Sequence, residues 1–160
     1  MKRYALLFVL CVSSASSSFA QTKSPVEGVW KVTEWIEGGK INTSPQPALI
    51  IFTKGYYSVA MLMAPRAESM PLERGRTLTD AEKVAQFEQW KWFVGISGSY
   101  EVKESTVVMR PIVAKEPSDM NRQDTSPPEF KFEGPNTFWL ILTTEKAKKV
   151  GLRMKLTRLE

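Results

Sequence analysis

The chain has 160 residues, a formal net charge of +5, 42% apolar residues and 24% charged residues. These are values of one globular domain, and they exclude disordered, fibrous and collagen-like classes. Histidine is absent and the one cysteine is Cys11, so zinc sites built on histidine and cysteine, Ser-His-Asp triads and Cys-His nucleophiles are excluded for want of their side chains.

Residues 1–20 open with Lys2 and Arg3, continue through an apolar run at 5–12 and end in Ser18-Phe19-Ala20. A basic start, a short apolar stretch and small residues before the break predict a secretory signal cleaved after Ala20. Eight apolar residues are too few to span a bilayer core, which needs about 20. No integral membrane span is expected, and residues 21–160 form the mature domain. Cleavage would remove Lys2, Arg3 and Cys11, lowering the charge from +5 to +3 and leaving no cysteine. An exported domain without disulfides, large enough to rely on its own core, points to a bacterial periplasm. A rival reading makes Cys11 a lipid-attachment site, but Leu10 stands where such signals carry a small residue.

Residues 28–36 (GVWKVTEWI) predict a first strand with Trp30, Val32 and Ile36 on one face and Glu34 interrupting it. Gly38-Gly39 ends that strand, and 41–47 reads as a loop. Residues 48–52 and 56–62, linked by Thr53-Lys54-Gly55, predict a hairpin. The stretch 64–76 reads as an exposed loop. Thr79-Asp80-Ala81-Glu82 has the spacing of a capping box, and Ala81, Val84, Phe87, Trp90 and Val94 recur at helical spacing. A helix over 79–94 is expected, stopped by Gly95. Strands follow at 99–103 and 106–113, with Pro111 marking an edge or a bulge. The polar 114–128 is long enough for a lid. A hairpin of 129–133 with 137–144 and an alternating last strand over 150–159 close the chain. About eight antiparallel strands with short links and one inserted helix predict an all-β, up-and-down barrel in a single domain.

With these pieces in order, the chain resembles the bacterial and fungal lipocalin-like domain family. The matching pieces are GVWKV, ALIIFTKGYYSVAML, the helix running into Phe93-Val94-Gly95, Gly98-Ser99-Tyr100-Glu101-Val102, the pair EFKFEG and TFWLIL, and the terminal LTRLE, spread over most of 26–160. Two departures stand out. The Thr-Asp-Tyr signature of lipocalins is missing, and Met109 and Arg110 stand where family members often carry histidines. The resemblance implies a barrel with a central cavity. It also implies that Trp30 closes the barrel floor beneath an arginine of the last strand, Arg158 or Arg153, through a cation–π contact.

Inward parity selects Tyr57, Val59, Met61, Tyr100, Val102, Met109, Phe138, Leu140, Leu142 and Met154 as cavity-lining candidates for a small, largely apolar guest. A barrel of this size either holds one small ligand or fills its interior, and both readings stand at this point. Glu34 is a further ligand-binding candidate. Inside the barrel its pKa would rise, as a ligand handle or catalytic acid requires; the alternatives are a solvent position or a bulge that turns Trp35 inward. A small-molecule isomerase or cyclase using the cavity is the second functional reading, and a packed interaction module the third. Trp139 and Ile141, on the outer face of 137–142, call for cover by the helix or by a second subunit in a homodimer. Arg66, Arg110 or Arg122 near an opening would suit an anionic guest. The cluster Trp90-Lys91-Trp92-Phe93 could stack on bases, but the low, spread charge and the export signal argue against nucleic acid. No cofactor, metal or catalytic residue is assigned.

Overall fold

The computed structural model describes residues 23–65, 75–120 and 125–160. The predicted signal with Cys11, and the two arginines Arg66 and Arg122, lie outside these residues. Nine strands run β1 (Gly28–Glu37), β2 (Lys40–Asn42), β3 (Ala48–Phe52), β4 (Tyr56–Leu62), β5 (Phe93–Lys103), β6 (Thr106–Ala114), β7 (Glu129–Gly134), β8 (Thr137–Ile141) and β9 (Arg153–Arg158). Three helices join them: α1 (Asp80–Trp90), α2 (Pro117–Met120) and α3 (Glu145–Val150). Each strand from β3 to β8 pairs antiparallel with the next, and β1 pairs with both β3 and β9, closing an eight-stranded barrel with β2 appended to the outer flank of β1. The up-and-down barrel expected from the strand count is therefore the fold.

Alternation puts Trp30, Val32, Ile50, Phe52, Tyr57, Val59, Tyr100, Val107, Phe138, Leu140, Met154 and Leu156 into one buried cluster with Val26. Packing is densest at the end where β1 begins. There Trp30 is fully buried, meets Phe138 edge-on at 4.6 Å between centroids, and donates its indole N–H to the Val26 carbonyl at 2.7 Å. Burial of such a side chain contributes about 1.5–3 kcal/mol. Arg158 covers the ring from the last strand, with Cζ 4.1 Å from the centroid. This is the expected floor, and Arg158 rather than Arg153 supplies it.

Several expectations are corrected. Among the described residues there are three helices instead of the one expected, and the short β2 occupies part of the expected 41–47 loop. Helix α1 begins as predicted, with both halves of the Thr79–Glu82 capping box formed, but it ends at Trp90. Val94 and Gly95 lie in β5, whose early pairing with β4 (Leu62 with Phe93, Ala60 with Gly95) outweighs the helical spacing. Residues 145–150 form α3, which takes Val150 from the expected last strand, because Thr144 caps one end and Gly151 adopts a left-handed φ of 61° at the other. Pro111 does sit beside a bulge, opposite Gly98. A Cβ on Gly98 would fall on the Arg110 carbonyl oxygen and lie 2.9 Å from Pro111 Cα.

Among the described residues, no helix is long and apolar enough to cross a membrane.

Candidate functional site

At the end opposite Trp30 the interior is not filled. A recess of about 300 Å³ reaches in to Tyr57 and is walled by Val59, Ile96, Met109, Pro111 and Leu142. Its rim is Thr125, Ser126 and Pro128 on one side and Thr143 and Thr144 on the other. A smaller recess of about 160 Å³ opens at the same end beside Val32, Trp35, Ala48 and Met61.

The larger recess exists because the barrel wall changes character between β6 and β7. These two strands are paired at a single position, Thr106 with Glu129. The Val107 N–H donates to the Pro128 carbonyl at 2.9 Å, and beyond that point the wall facing β6 is loop 125–128. Pro127 and Pro128 have no N–H to offer a ladder, so a strand cannot continue there. What holds this loop against the next element is the Thr143 hydroxyl, which donates to the Pro127 carbonyl at 2.9 Å.

Of the ten ligand-binding candidates, Tyr57, Val59 and Met109 line the larger recess and Met61 the smaller. Tyr100, Phe138, Leu140 and Met154 are buried in the core, with Val102 packed against it. The Tyr100 ring meets Phe52 edge-on at 5.0 Å and its hydroxyl donates to the Thr53 carbonyl at 3.0 Å. Burial pushes the Tyr100 phenol pKa up. Leu142, also read as inward, does line the cavity, whereas Ile96, Pro111 and the hydroxyl rim were missed. Ile96 lies between the expected helix stop at Gly95 and the expected strand at 99–103, and the rim sits in loops whose positions no periodicity reveals.

Glu34 is the correction with the largest chemical consequence. The β1–β9 register shifts between Val32 and Glu34, so Trp35 pairs with the inward Met154 and Glu34 with the outward Lys155. This bulge reverses the parity of the strand. Glu34 therefore lies outside the barrel, 3.2 Å from the Lys155 ammonium. Lys155 also reaches Glu133 at 2.8 Å, and Glu133 accepts the Trp139 indole N–H at 2.5 Å. The Lys155 hydrogen bond, followed by that of Trp139, holds the Glu133 carboxyl below its usual range. Hydrogen bonds to Glu133 and then Glu34 raise Lys155 in turn.

The same outer cluster supplies the cover that Trp139 needs. Arg153 and Lys155 stand over its ring at 5.2 and 5.4 Å. Helix α1 does not provide it: Val84 and Phe87 are 63% and 66% exposed, and no residue of the helix is buried. Arg110 is likewise turned away from the opening. It pairs with Ser99 on the outer face and bonds Glu101 at 2.5 Å. No charged side chain is buried, and no cluster of metal-binding residues occurs, among the described residues.

No family model matches the chain, and no curated protein matches it. Among solved structures it is similar to a lipocalin-like protein from Bacteroides uniformis, at 13% identity and TM-score 0.46, over 85% of this chain and 100% of that one. A redesigned β-barrel matches at 16% identity and TM-score 0.43, over 85% and 93%. A protein of Bacteroides eggerthii matches at 12% identity and TM-score 0.44, over 82% and 98%.

Proposed function

We propose that this chain is an exported, lipocalin-like binding protein that holds a small, largely apolar molecule in the barrel. The observation that carries the reading is the 300 Å³ recess, walled by Val59, Ile96, Met109 and Leu142 and open at the end away from Trp30. That volume is at the small end of the range for ligand sites, which are concave, mostly apolar and polar at a few points. The mechanism is sequestration: apolar surface of the guest leaves water, contributing about 25 cal/mol per Å² before the cost of immobilising it. The polarised wall gives the guest an apolar bed and a hydroxyl-bearing exit. With Glu34 outside the barrel, an isomerase or cyclase loses the carboxylate it could have used and is left with the phenol of Tyr57.

Native mass spectrometry of protein recovered gently from the cell envelope tests the proposal. A reproducible adduct of a few hundred daltons that is lost on denaturation supports it. A clean apo mass, unchanged after incubation with lipophilic extracts, overturns it.

A further inference from the structure

Resting on that reading, we infer that the larger recess selects an uncharged guest whose polar end both donates and accepts hydrogen bonds, such as an alcohol or a primary amide, and holds that end at the rim between loop 125–128 and Thr143-Thr144. The recess divides into two zones. Its depth is Tyr57 together with aliphatic and thioether surface from Val59, Ile96, Met109 and Leu142. Its rim is four hydroxyls, Thr125 and Ser126 facing Thr143 and Thr144. None of its lining residues carries a charge.

The hydroxyls are not equivalent. Thr143 spends its hydrogen on the Pro127 carbonyl at 2.9 Å, which leaves its oxygen as an acceptor. Thr144 accepts the Ala147 N–H at 3.3 Å as the cap of α3, which leaves its hydrogen as a donor. Two adjacent side chains therefore present opposite hydrogen-bonding faces to the same space. A guest hydroxyl or amide satisfies both. Of this pair a carboxylate can use only the Thr144 donor and an ammonium only the Thr143 acceptor, and no lining residue offers either ion a counter-charge. Desolvating an unpaired ion beside an apolar wall is costly. Discrimination is thus built on what the rim lacks as much as on what it offers.

Competition against the neutral fluorophore N-phenyl-1-naphthylamine tests this at pH 7 with octan-1-ol, octanoate and octylamine. Octan-1-ol is expected to displace the probe at a concentration at least tenfold lower than either ion. Ser126→Ala and Thr125→Val are expected to raise the ratio of the octan-1-ol dissociation constant to that of the probe by a few-fold, each measured on the same variant. Octanoate or octylamine competing as well as the alcohol would overturn the inference and leave the binding-protein reading standing. A probe that gains no fluorescence, with none of the three compounds bound by calorimetry, would overturn both.

Discussion

The Arg158 guanidinium stands over Trp30, its Cζ 4.1 Å from the ring centroid, and one of its nitrogens donates to the Glu27 carbonyl at 2.8 Å. One side chain of the last strand thereby fastens the lead-in, the first strand and the floor of the barrel together. A cation–π contact contributes about 0.5–2 kcal/mol and a hydrogen bond about 0.5–1.5 kcal/mol. Arg158→Ala is therefore expected to lose roughly 1–3 kcal/mol, read as a lower urea midpoint at unchanged m-value. Arg158→Lys should recover little of it, because an ammonium neither stacks nor forks as a guanidinium does. An unaltered midpoint in the alanine variant would remove this contact from the account of stability.

Substitutions on the two faces of the wall separate the cavity from its surroundings. Glu34→Gln, on the outside, is expected to leave N-phenyl-1-naphthylamine affinity within about twofold. Met109→Trp, which fills the recess from β6, should abolish probe binding while the circular dichroism spectrum stays that of a β-barrel. Loss of affinity in Glu34→Gln would place the bound molecule elsewhere.

Gly98 faces Pro111 across the β5–β6 bulge with no room for a side chain. Gly98→Ala must push backbone against backbone and is expected to destabilise by about 1–3 kcal/mol, as overpacking typically does. Thermal unfolding checks this. Gly39→Ala, at a turn with open space around it, separates crowding from conformational strain, because its backbone φ of 75° supplies only the strain.

The capping box of α1 carries a pH dependence. Glu82 has its pKa lowered to about 2, foremost by the hydrogen bond from Arg76 and then by those from Thr79. A folded value below the unfolded one means the contribution is complete above about pH 4.5 and is lost as pH falls from there toward 2. Carbon-detected NMR should show the Glu82 carboxyl titrating well below other glutamates, and Arg76→Gln should bring it back toward the ordinary range.

Export makes a prediction of its own. Protein isolated from the envelope should begin at Gln21, and its intact mass should equal that of residues 21–160 without an acyl addition. Retention of residues 1–20 would overturn the signal, and a diacylglyceryl mass on Cys11 would establish the lipid anchor instead.

Much of the barrel was legible because its strands alternate cleanly: Leu152, Met154 and Leu156 against Arg153, Lys155 and Thr157 show which face of the last strand is inside without any partner being known. The capping box of α1 was equally local. Glu34 stayed open between an inward place and a bulge that turns Trp35 inward, because the bulge found is set by pairing with β9, far along the chain. The end of α1 was misjudged for a related reason: Val94 fits a helical stripe, yet its pairing with Met61 belongs to the sheet. Helix α3 did leave signals, Thr144 and Gly151 at the right spacing, but six residues carry too little periodicity to stand out. The cavity itself was the least legible feature. Its walls come from inward parity, whereas its rim is brought together by loops whose approach depends on Pro127 and Thr143 meeting.

The way the barrel closes has a consequence for how the chain reaches this state. Every strand from β3 to β8 pairs with its immediate successor, so most of the sheet can zip up between neighbours. The β1–β9 ladder alone must join the beginning of the described chain to its end, and Trp30 and Arg158 lie within it. Entropy of loop closure rises only slowly with length, but contacts between distant segments slow the search for them. The aromatic floor is thus also the clasp of the cylinder, fastened late. Changes at Arg158 should then speed opening far more than they slow assembly, which makes the lifetime of a closed barrel, and of anything it encloses, a property of the end farthest from the mouth.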